Sequence, residues 1–159
     1  MIISTIEIDR PQAEVFAYLN ELDRHPEWQE DLISSKIVSE GPVGLGARAT
    51  DKRKVPGGPR EMTYEVTQYD PPRKSSWQGL DGPVRGVGSV SVEPIGDGSR
   101  SRVTLELDLK GHGIGLLIAP FARRQAARQI PKSQAKLKEV LERRVEPGSA
   151  DRGGVSSPQ

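Results

Sequence analysis

The chain has few residues whose type and spacing could support covalent chemistry. It contains no cysteine and two histidines, His25 and His112, which excludes thiol catalysis, disulfides and thiolate zinc sites. Neither histidine has a His, Asp or Glu three or four residues after it, the spacing of a helical metal-binding pair. The sequence has neither a Gly-x-Ser-x-Gly nucleophile motif nor a complete dinucleotide fingerprint. We therefore expect no metal and no cofactor, with both histidines in surface loops.

Tyr64, Trp77 and Arg123 are the side chains best suited to hold a ligand. Tyr64 and Trp77 occupy inward positions of alternating strands and carry donors that a buried ligand could satisfy; packing in the core is the alternative for both. Arg123 lies at the margin of an apolar helix stripe, where it could bind a carboxylate, a phosphate or an enolate. The alternative is an arginine whose stem covers the edge of the core. Asp51 is the one candidate for a general base, provided that its strand turns it inward.

These residues belong to a regular succession of elements. The chain opens with an alternating strand over Ile2–Ile8, followed by a helix whose first turn contains Pro11 and which is broken at His25 and Pro26. From residue 32 to 109, strand-like runs alternate with turns rich in glycine and proline. Strands joined by such short connections predict an antiparallel meander with one face against a core.

The last element is a long helix with one apolar stripe. At 100° per residue, the stripe contains Ala119, Ala122, Ala126, Ile130, Ser133, Leu137, Val140 and Leu141. Several members are small, and small side chains opposite a curled sheet would leave space for a ligand. The preceding apolar residues (Ile114, Leu117, Ile118 and Phe121) fall on a different face. The pattern therefore predicts a helix break near Pro120, and Pro131 should kink the helix.

Charge is nearly balanced, with a formal net charge of +1, so no global field indicates nucleic acid or an anionic membrane. A basic ridge follows the helix at i+4 spacing (Arg124, Arg128, Lys132 and Lys136). We interpret it as a solvated face, because no aromatic residue is interleaved with it for base stacking. A partner docking on the ridge is an alternative. The basic segment 110–144 and the acidic segment 1–31 could also attract each other within the fold or across a homodimer.

The apolar run 114–122 is far shorter than the ~20 residues of a spanning helix, so we expect no stable membrane insertion. Its large side chains are expected to form a lid over a cavity mouth rather than to contact a membrane (Leu116, Leu117, Ile118 and Phe121). The N-terminus lacks a signal-peptide pattern, and we expect a soluble, cytoplasmic protein. Composition indicates one domain over 1–145 and a disordered tail over 146–159.

Several local motifs resemble those of one superfamily. The opening IEIDRPQAEVFAYLNELDRHPEWQEDL combines a strand, a proline-started helix and a Pro-x-Trp. The segments GPVGLGARA and YEVTQYDPPRKSSWQG are similar to its glycine-rich strand entry and its strand–DPP–strand corner. RVTLELDLKG and AKLKEVLE are similar to its closing strand and helix end. Together with the element order, these motifs resemble the START-like (SRPBCC) superfamily, which includes polyketide cyclases/dehydrases, birch-pollen-allergen-like proteins and lipid-transfer domains.

The resemblance implies an α+β helix-grip fold. In this fold a curled, seven-stranded antiparallel sheet wraps around a long C-terminal helix, and two short helices follow the first strand. The resemblance also implies a central cavity that holds a sterol, a lipid, a polyketide or another apolar molecule. We expect the residues that contact this molecule to include Met62, Tyr64, Trp77, Val90, Phe121, Arg123 and Ala126.

The leading hypothesis is therefore that the chain binds a small hydrophobic or aromatic molecule, with transport or conversion of that molecule as the purpose. The alternative is a polyketide cyclase/dehydrase that uses general acid/base groups of the cavity. In that enzyme Tyr64 or Arg123 would polarise a carbonyl, and the cavity would fold the substrate for ring closure. A third class is a non-catalytic protein that docks on a partner through the basic ridge.

Overall fold

The chain folds into seven strands, two α-helices and one short 3-10 helix, which a computed structural model describes over residues 1–143. The strands are β1 Ile2–Ile8, β2 Leu32–Ile37, β3 Arg48–Val55, β4 Gly58–Asp70, β5 Lys74–Gly79, β6 Val84–Ile95 and β7 Arg100–Gly111. Helix α1 (Gln12–Leu19) and the 3-10 helix (Leu22–Glu27) join β1 to β2, and α2 spans Gly115–Arg143. The tail predicted over 146–159 lies outside the described residues.

All seven strands form one antiparallel sheet in the order β1-β7-β6-β5-β4-β3-β2. Strands β2 to β7 are therefore a meander, as predicted, and β1 closes the sheet beside β7. The sheet curls around α2, so the expected helix-grip fold is confirmed. Ile6 and Val92 both lie opposite Val103. Because directly opposite residues share a face, the period-two alternation places most of the apolar side chains of the strands on the concave surface, although Ile3 and Val87 point outward.

One half of the concave face is closed by packing. Helix α1 and the C-terminal half of α2 cover it, and the residues between them are almost fully buried. This core consists of Ile8, Val15, Phe16, Tyr18, Leu19, Val90, Val92, Val103, Leu137 and Leu141. Each such side chain contributes about 1.5–3 kcal/mol by leaving water. The predicted space for a ligand is therefore restricted to the other half, where α2 begins.

Helix α2 is continuous through both of its prolines, so the predicted break near Pro120 is wrong. A proline inside a helix deprives the carbonyl four residues earlier of its partner. These carbonyls belong to Leu116 and Ala127, which are both exposed. Water can therefore take the place of the missing donor, and the helix continues. Within residues 1–143, no helix is long and apolar enough to span a membrane.

Helix α2 is attached to the sheet by polar side chains as well as by its apolar stripe. The buried Gln134 accepts from Ser4 Oγ at 2.6 Å, and its Nε2 donates to the Ser4 carbonyl at 2.9 Å. Near the helix end, Glu142 Oε1 accepts from the Asp9 backbone N–H at 2.9 Å. The apolar pattern did not single out Gln134, because a glutamine inside a helix is ordinarily a surface residue.

Candidate functional site

Between the sheet and the first half of α2, the inward-facing apolar side chains are less completely buried than in the core, and we call this part of the concave face the groove. Its walls are apolar side chains that remain only partly buried, in contrast to the closed core. On the sheet these are Met62, Tyr64, Trp77, Leu105, Leu107 and Leu109, and on the helix they are Ala122, Ala126 and Ile130. Partial exposure of so many inward-facing apolar residues shows that α2 does not seal this half of the concave face. Of the small residues predicted on the helix stripe, Ala122 and Ala126 lie on this open side, whereas Ala119 and Ser133 are buried.

Trp77 forms part of the groove floor because β6 carries a glycine beside it. Trp77 and Gly88 are paired residues of β5 and β6. A Cβ atom built on Gly88 would lie 2.5 Å from Trp77 Cζ2, so the indole ring lies across the glycine backbone. Any side chain at position 88 would displace the ring. The sequence pattern identified Trp77 as inward but contained no sign of this dependence on Gly88.

A polar cluster adjoins the groove on strands β2 to β4. It consists of Ser35, Asp51, Arg53 and Tyr64. Ser35 lies opposite Asp51 in the β2–β3 register, and Tyr64 lies opposite Ala49, one inward position from Asp51. Asp51 is 6% exposed and Ser35 is 2% exposed. Strand β3 thus turns Asp51 inward, which was the condition for Asp51 to be a candidate general base.

Arg53 holds the Asp51 carboxylate in place. Its Nη2 donates to Asp51 Oδ2 at 3.0 Å and to Gln29 Oε1 at 2.8 Å, and its Nη1 donates to Asp31 Oδ2 at 3.1 Å. The guanidinium therefore joins β3 to the segment before β2. Among the described residues, Asp51 Oδ1 makes no hydrogen bond. A buried carboxylate oxygen without a donor is costly, so this oxygen is suited to accept from a bound molecule.

Tyr64 is held as a neutral phenol. Burial raises its pKa above the ordinary value, the nearby Asp51 charge raises it further, and the neighbouring Ser35 hydroxyl opposes the rise. A neutral phenol keeps its O–H, so Tyr64 can donate to a carbonyl or accept from a hydroxyl. In the register Tyr64 is also opposite Gly79, which has no side chain to pack against the ring.

His25 is not the surface-loop residue that the sequence predicted. It lies in the 3-10 helix, and burial lowers the pKa of its imidazole, although the charge of Asp51 acts in the opposite direction. Its Nε2 lies 2.6 Å from the Leu19 carbonyl. Because a carbonyl only accepts, Nε2 carries the proton and Nδ1 is the unprotonated nitrogen of the neutral ring. The imidazole packs edge-on against Trp28, with ring centroids 5.3 Å apart.

The other predicted ligand contacts are distributed differently. Val90 belongs to the closed core, and Met62 and Ala126 line the groove. Phe121 is 74% exposed, so it does not form the expected lid. Arg123 is also exposed, and its Nε donates to the Leu109 carbonyl at 3.0 Å. The guanidinium therefore fastens α2 to the end of β7 and does not join the polar cluster.

Two open depressions lie on the convex side of the sheet. One, of about 210 Å³, is lined by outward residues such as Ser76 and Glu106 and also by Trp77, Gly88 and Leu107, which the groove shares. The other, of about 370 Å³, includes Lys36, Thr50 and other outward residues. Both are shallow surfaces between solvated side chains. Within residues 1–143, no three His, Asp or Glu side chains come together as metal ligands would.

The sequence profile of the family described as polyketide cyclase/dehydrase and lipid transport matches residues 2–142. The chain belongs to this family. The match covers the whole helix-grip domain, including the strands of the polar cluster and the whole groove side of α2. Among curated proteins, none matches the chain in sequence. The expected START-like resemblance is thereby confirmed.

Solved structures of this family's fold are similar to the chain. The Zhui aromatase/cyclase from Streptomyces sp. R1128 superposes with a TM-score of 0.78 at 18% identity, covering 97% of this chain and 98% of that one. The di-domain ARO/CYC BexL from the BE-7585A biosynthetic pathway has a TM-score of 0.70 at 21% identity and covers 88% of this chain, which spans 45% of BexL. A START superfamily protein from Mycobacterium smegmatis has a TM-score of 0.68 at 13% identity, covering 89% and 96%. At such identities the likeness establishes the fold.

Proposed function

We propose that this member of the polyketide cyclase/dehydrase and lipid transport family binds a small apolar or aromatic molecule in the groove between the sheet and α2. The observation that carries the proposal is the difference between the two halves of the concave face. One half is packed to completion, whereas the other leaves large apolar side chains such as Met62, Trp77 and Leu107 partly exposed. Covering that surface with an apolar ligand removes it from water, which favours binding.

The polar cluster supports a ligand that also carries a hydroxyl or phenol group. Asp51 Oδ1 accepts only, Ser35 Oγ can accept or donate, and the Tyr64 phenol can donate. A ligand hydroxyl placed among them would donate to Asp51 and accept from Tyr64. A purely aliphatic ligand would leave the buried carboxylate oxygen unpaired. We therefore expect hydroxylated sterols or phenolic polyketides to bind better than matched hydrocarbons.

The test compares two tryptophan substitutions at adjacent helix positions. Ala126 lies on the groove side, whereas Ala127 is exposed. The wild type and both variants are heated with a panel of sterols, fatty acids and aromatic polyketides. A ligand at 100 times its Kd adds about 2.7 kcal/mol to the unfolding free energy, which gives a clear rise in Tm. We expect Ala126→Trp to abolish the rise and Ala127→Trp to keep it. No rise in the wild type with any compound contradicts the proposal.

A second candidate function is the cyclase/dehydrase activity, favoured by the inward position of Asp51 beside Tyr64. Asp51 Oδ1 would take a proton from the carbon between two carbonyls of a poly-β-ketone. Tyr64 would give its phenol proton to the oxygen of the carbonyl that this carbon attacks, so that a carbon–carbon bond forms as the carbonyl π bond becomes a hydroxyl. The proton taken by Asp51 would then pass to the Tyr64 phenolate and restore both groups. Asp51→Asn should then lower turnover by a factor of 10² or more while the ligand-induced rise in Tm persists. Equal turnover in the variant and the wild type rejects the catalytic role.

A further inference from the structure

The first two turns of α2, with the residue before them, carry an apolar tip that no other part of the described chain covers. The tip consists of Ile114, Leu116, Leu117, Ile118 and Phe121, and Leu117 and Phe121 are 75% and 74% exposed. Single exposed apolar residues are common on proteins, but a contiguous group of large ones marks an interaction surface. The lid predicted from the sequence would have buried these side chains, so the tip requires another explanation.

The tip lies at the start of α2, beside the β5–β6 connection. Gly115 packs so closely on the β5–β6 connection that a Cβ atom there would lie 1.7 Å from the Pro83 carbonyl oxygen. The His112 backbone N–H also donates to that carbonyl at 2.8 Å. These contacts fix the start of α2 against the end of the sheet. The tip therefore projects from a rigid support and not from a free loop.

The outward face of α2 continues from the tip as the basic ridge. Counting 100° per residue from the buried Ala119, the tip residues Leu117, Ile118 and Phe121 lie at about 160–260°. The ridge (Arg124, Arg128, Lys132 and Lys136) lies at about 140–260° on the same scale. The helix thus presents one continuous surface opposite its buried stripe, apolar in its first turns and cationic in the turns that follow.

The charge of this surface is not neutralised within residues 1–143. Arg124, Arg128 and Lys132 form no ion pair with any described residue, and Lys136 pairs only with Glu139, at 3.5 Å. Glu139 is also the first acidic residue of the helix. A surface that combines unpaired cations with exposed large apolar side chains is complementary to an anionic lipid bilayer, which offers acidic headgroups above an apolar interior.

We propose that the apolar tip and the basic ridge dock on an anionic phospholipid membrane. The tip enters the boundary between headgroups and acyl chains, and the ridge contacts the headgroups. A second copy of the chain fits less well, because pairing two such faces brings two basic ridges together. A nucleic acid would leave the tip exposed to water. The proposal rests on the surface of α2 alone and does not depend on what the groove binds.

The experiment measures co-sedimentation of the full chain with vesicles of phosphatidylcholine, with or without phosphatidylglycerol. We expect binding to the anionic vesicles that weakens at high salt. The double variant Leu117→Glu/Phe121→Glu should abolish it. Each cation beside an anionic surface contributes about 1 kcal/mol, a factor of about five in partition, so Arg124→Glu/Arg128→Glu should weaken binding by at least about 25-fold. All four positions are exposed, and circular dichroism checks that the variants fold.

Two matched variants distinguish this docking surface from general attraction. Leu45→Glu replaces a leucine that is 74% exposed in the β2–β3 connection. Lys36→Glu/Lys52→Glu reverses two exposed cations on the convex side of the sheet. Both should bind vesicles like the wild type. The proposal is overturned by absence of binding to anionic vesicles, by an equal loss in the Lys36/Lys52 variant, or by self-association without vesicle binding that Phe121→Glu abolishes.

Discussion

Asp51 and Arg53 form an ion pair on one face of β3, in which Arg53 Nη2 donates to Asp51 Oδ2 at 3.0 Å. The two residues share the concave face because they are two positions apart. Arg53 occupies one carboxylate oxygen of Asp51, and the other makes no hydrogen bond with any described residue. The pair thus both stabilises the buried charge and leaves an acceptor beside the groove.

Loss of the Arg53 cation alone should lower the unfolding free energy more than loss of both the Arg53 cation and the Asp51 charge. Arg53→Leu leaves the Asp51 carboxylate buried without its cation, which costs about 3 kcal/mol in unfolding free energy. Asp51→Asn in the same background removes the charge, and the double variant should recover much of this loss. Urea unfolding of the four proteins of the cycle gives the coupling. Strictly additive losses would show that the pair does not stabilise the fold.

Gly88→Ala should disturb Trp77 and destabilise the protein. The new Cβ would lie 2.5 Å from Trp77 Cζ2 and 3.0 Å from the Glu106 carbonyl oxygen, so the indole must move. Overpacking of this kind costs typically about 1–3 kcal/mol. Gly44→Ala is the control, because nothing lies within 4 Å of its Cβ position. Thermal unfolding and tryptophan fluorescence report the effect; an unchanged Tm and spectrum in Gly88→Ala would contradict this packing.

His25 should make the protein less stable in mildly acidic solution. Burial lowers its pKa from the ordinary 6.5, so below pH 6.5 the unfolded chain binds a proton that the folded chain resists. The unfolding free energy therefore falls as the pH decreases from 6.5 toward the folded-state pKa. His25→Gln keeps a donor for the Leu19 carbonyl but does not titrate there. Unfolding curves between pH 7 and pH 5 should decline more steeply for the wild type than for this variant.

Tyr64 should make the folded protein less stable in strongly alkaline solution. Its pKa is raised above the ordinary 10.0 by burial and by the charge of Asp51. Above pH 10 the unfolded chain loses the phenol proton, whereas the folded chain retains it, so stability decreases with rising pH. Tyr64→Phe should lessen this decrease. In the wild type, absorbance titration should show a phenol that ionises later than an ordinary tyrosine, and Tyr64→Phe should lose that late component.

Local patterns determined the elements and their faces. Alternation in the strands and the stripe on α2 are periodic features of neighbouring residues, so the inward positions of Tyr64 and Trp77 on the sheet and of Leu137 on α2 followed from the sequence. The local sequence motifs indicated the family for the same reason, because most of them consist of turn and core residues that the fold requires. The side of α2 that faces the sheet was also correct, because its apolar stripe must be buried.

Only the tertiary structure decided what surrounds each polar side chain. Ser35 and Asp51 are opposite each other through the β2–β3 register, and no local pattern states that register. The burial of His25 depends on packing of the 3-10 helix against β2. Phe121 is exposed because α2 continues through Pro120, which carries Phe121 onto the helix face opposite the buried stripe. Periodicity shows which face of an element is apolar. The solvation and charge of a site depend on residues that are distant in the chain, which the folded backbone alone brings together.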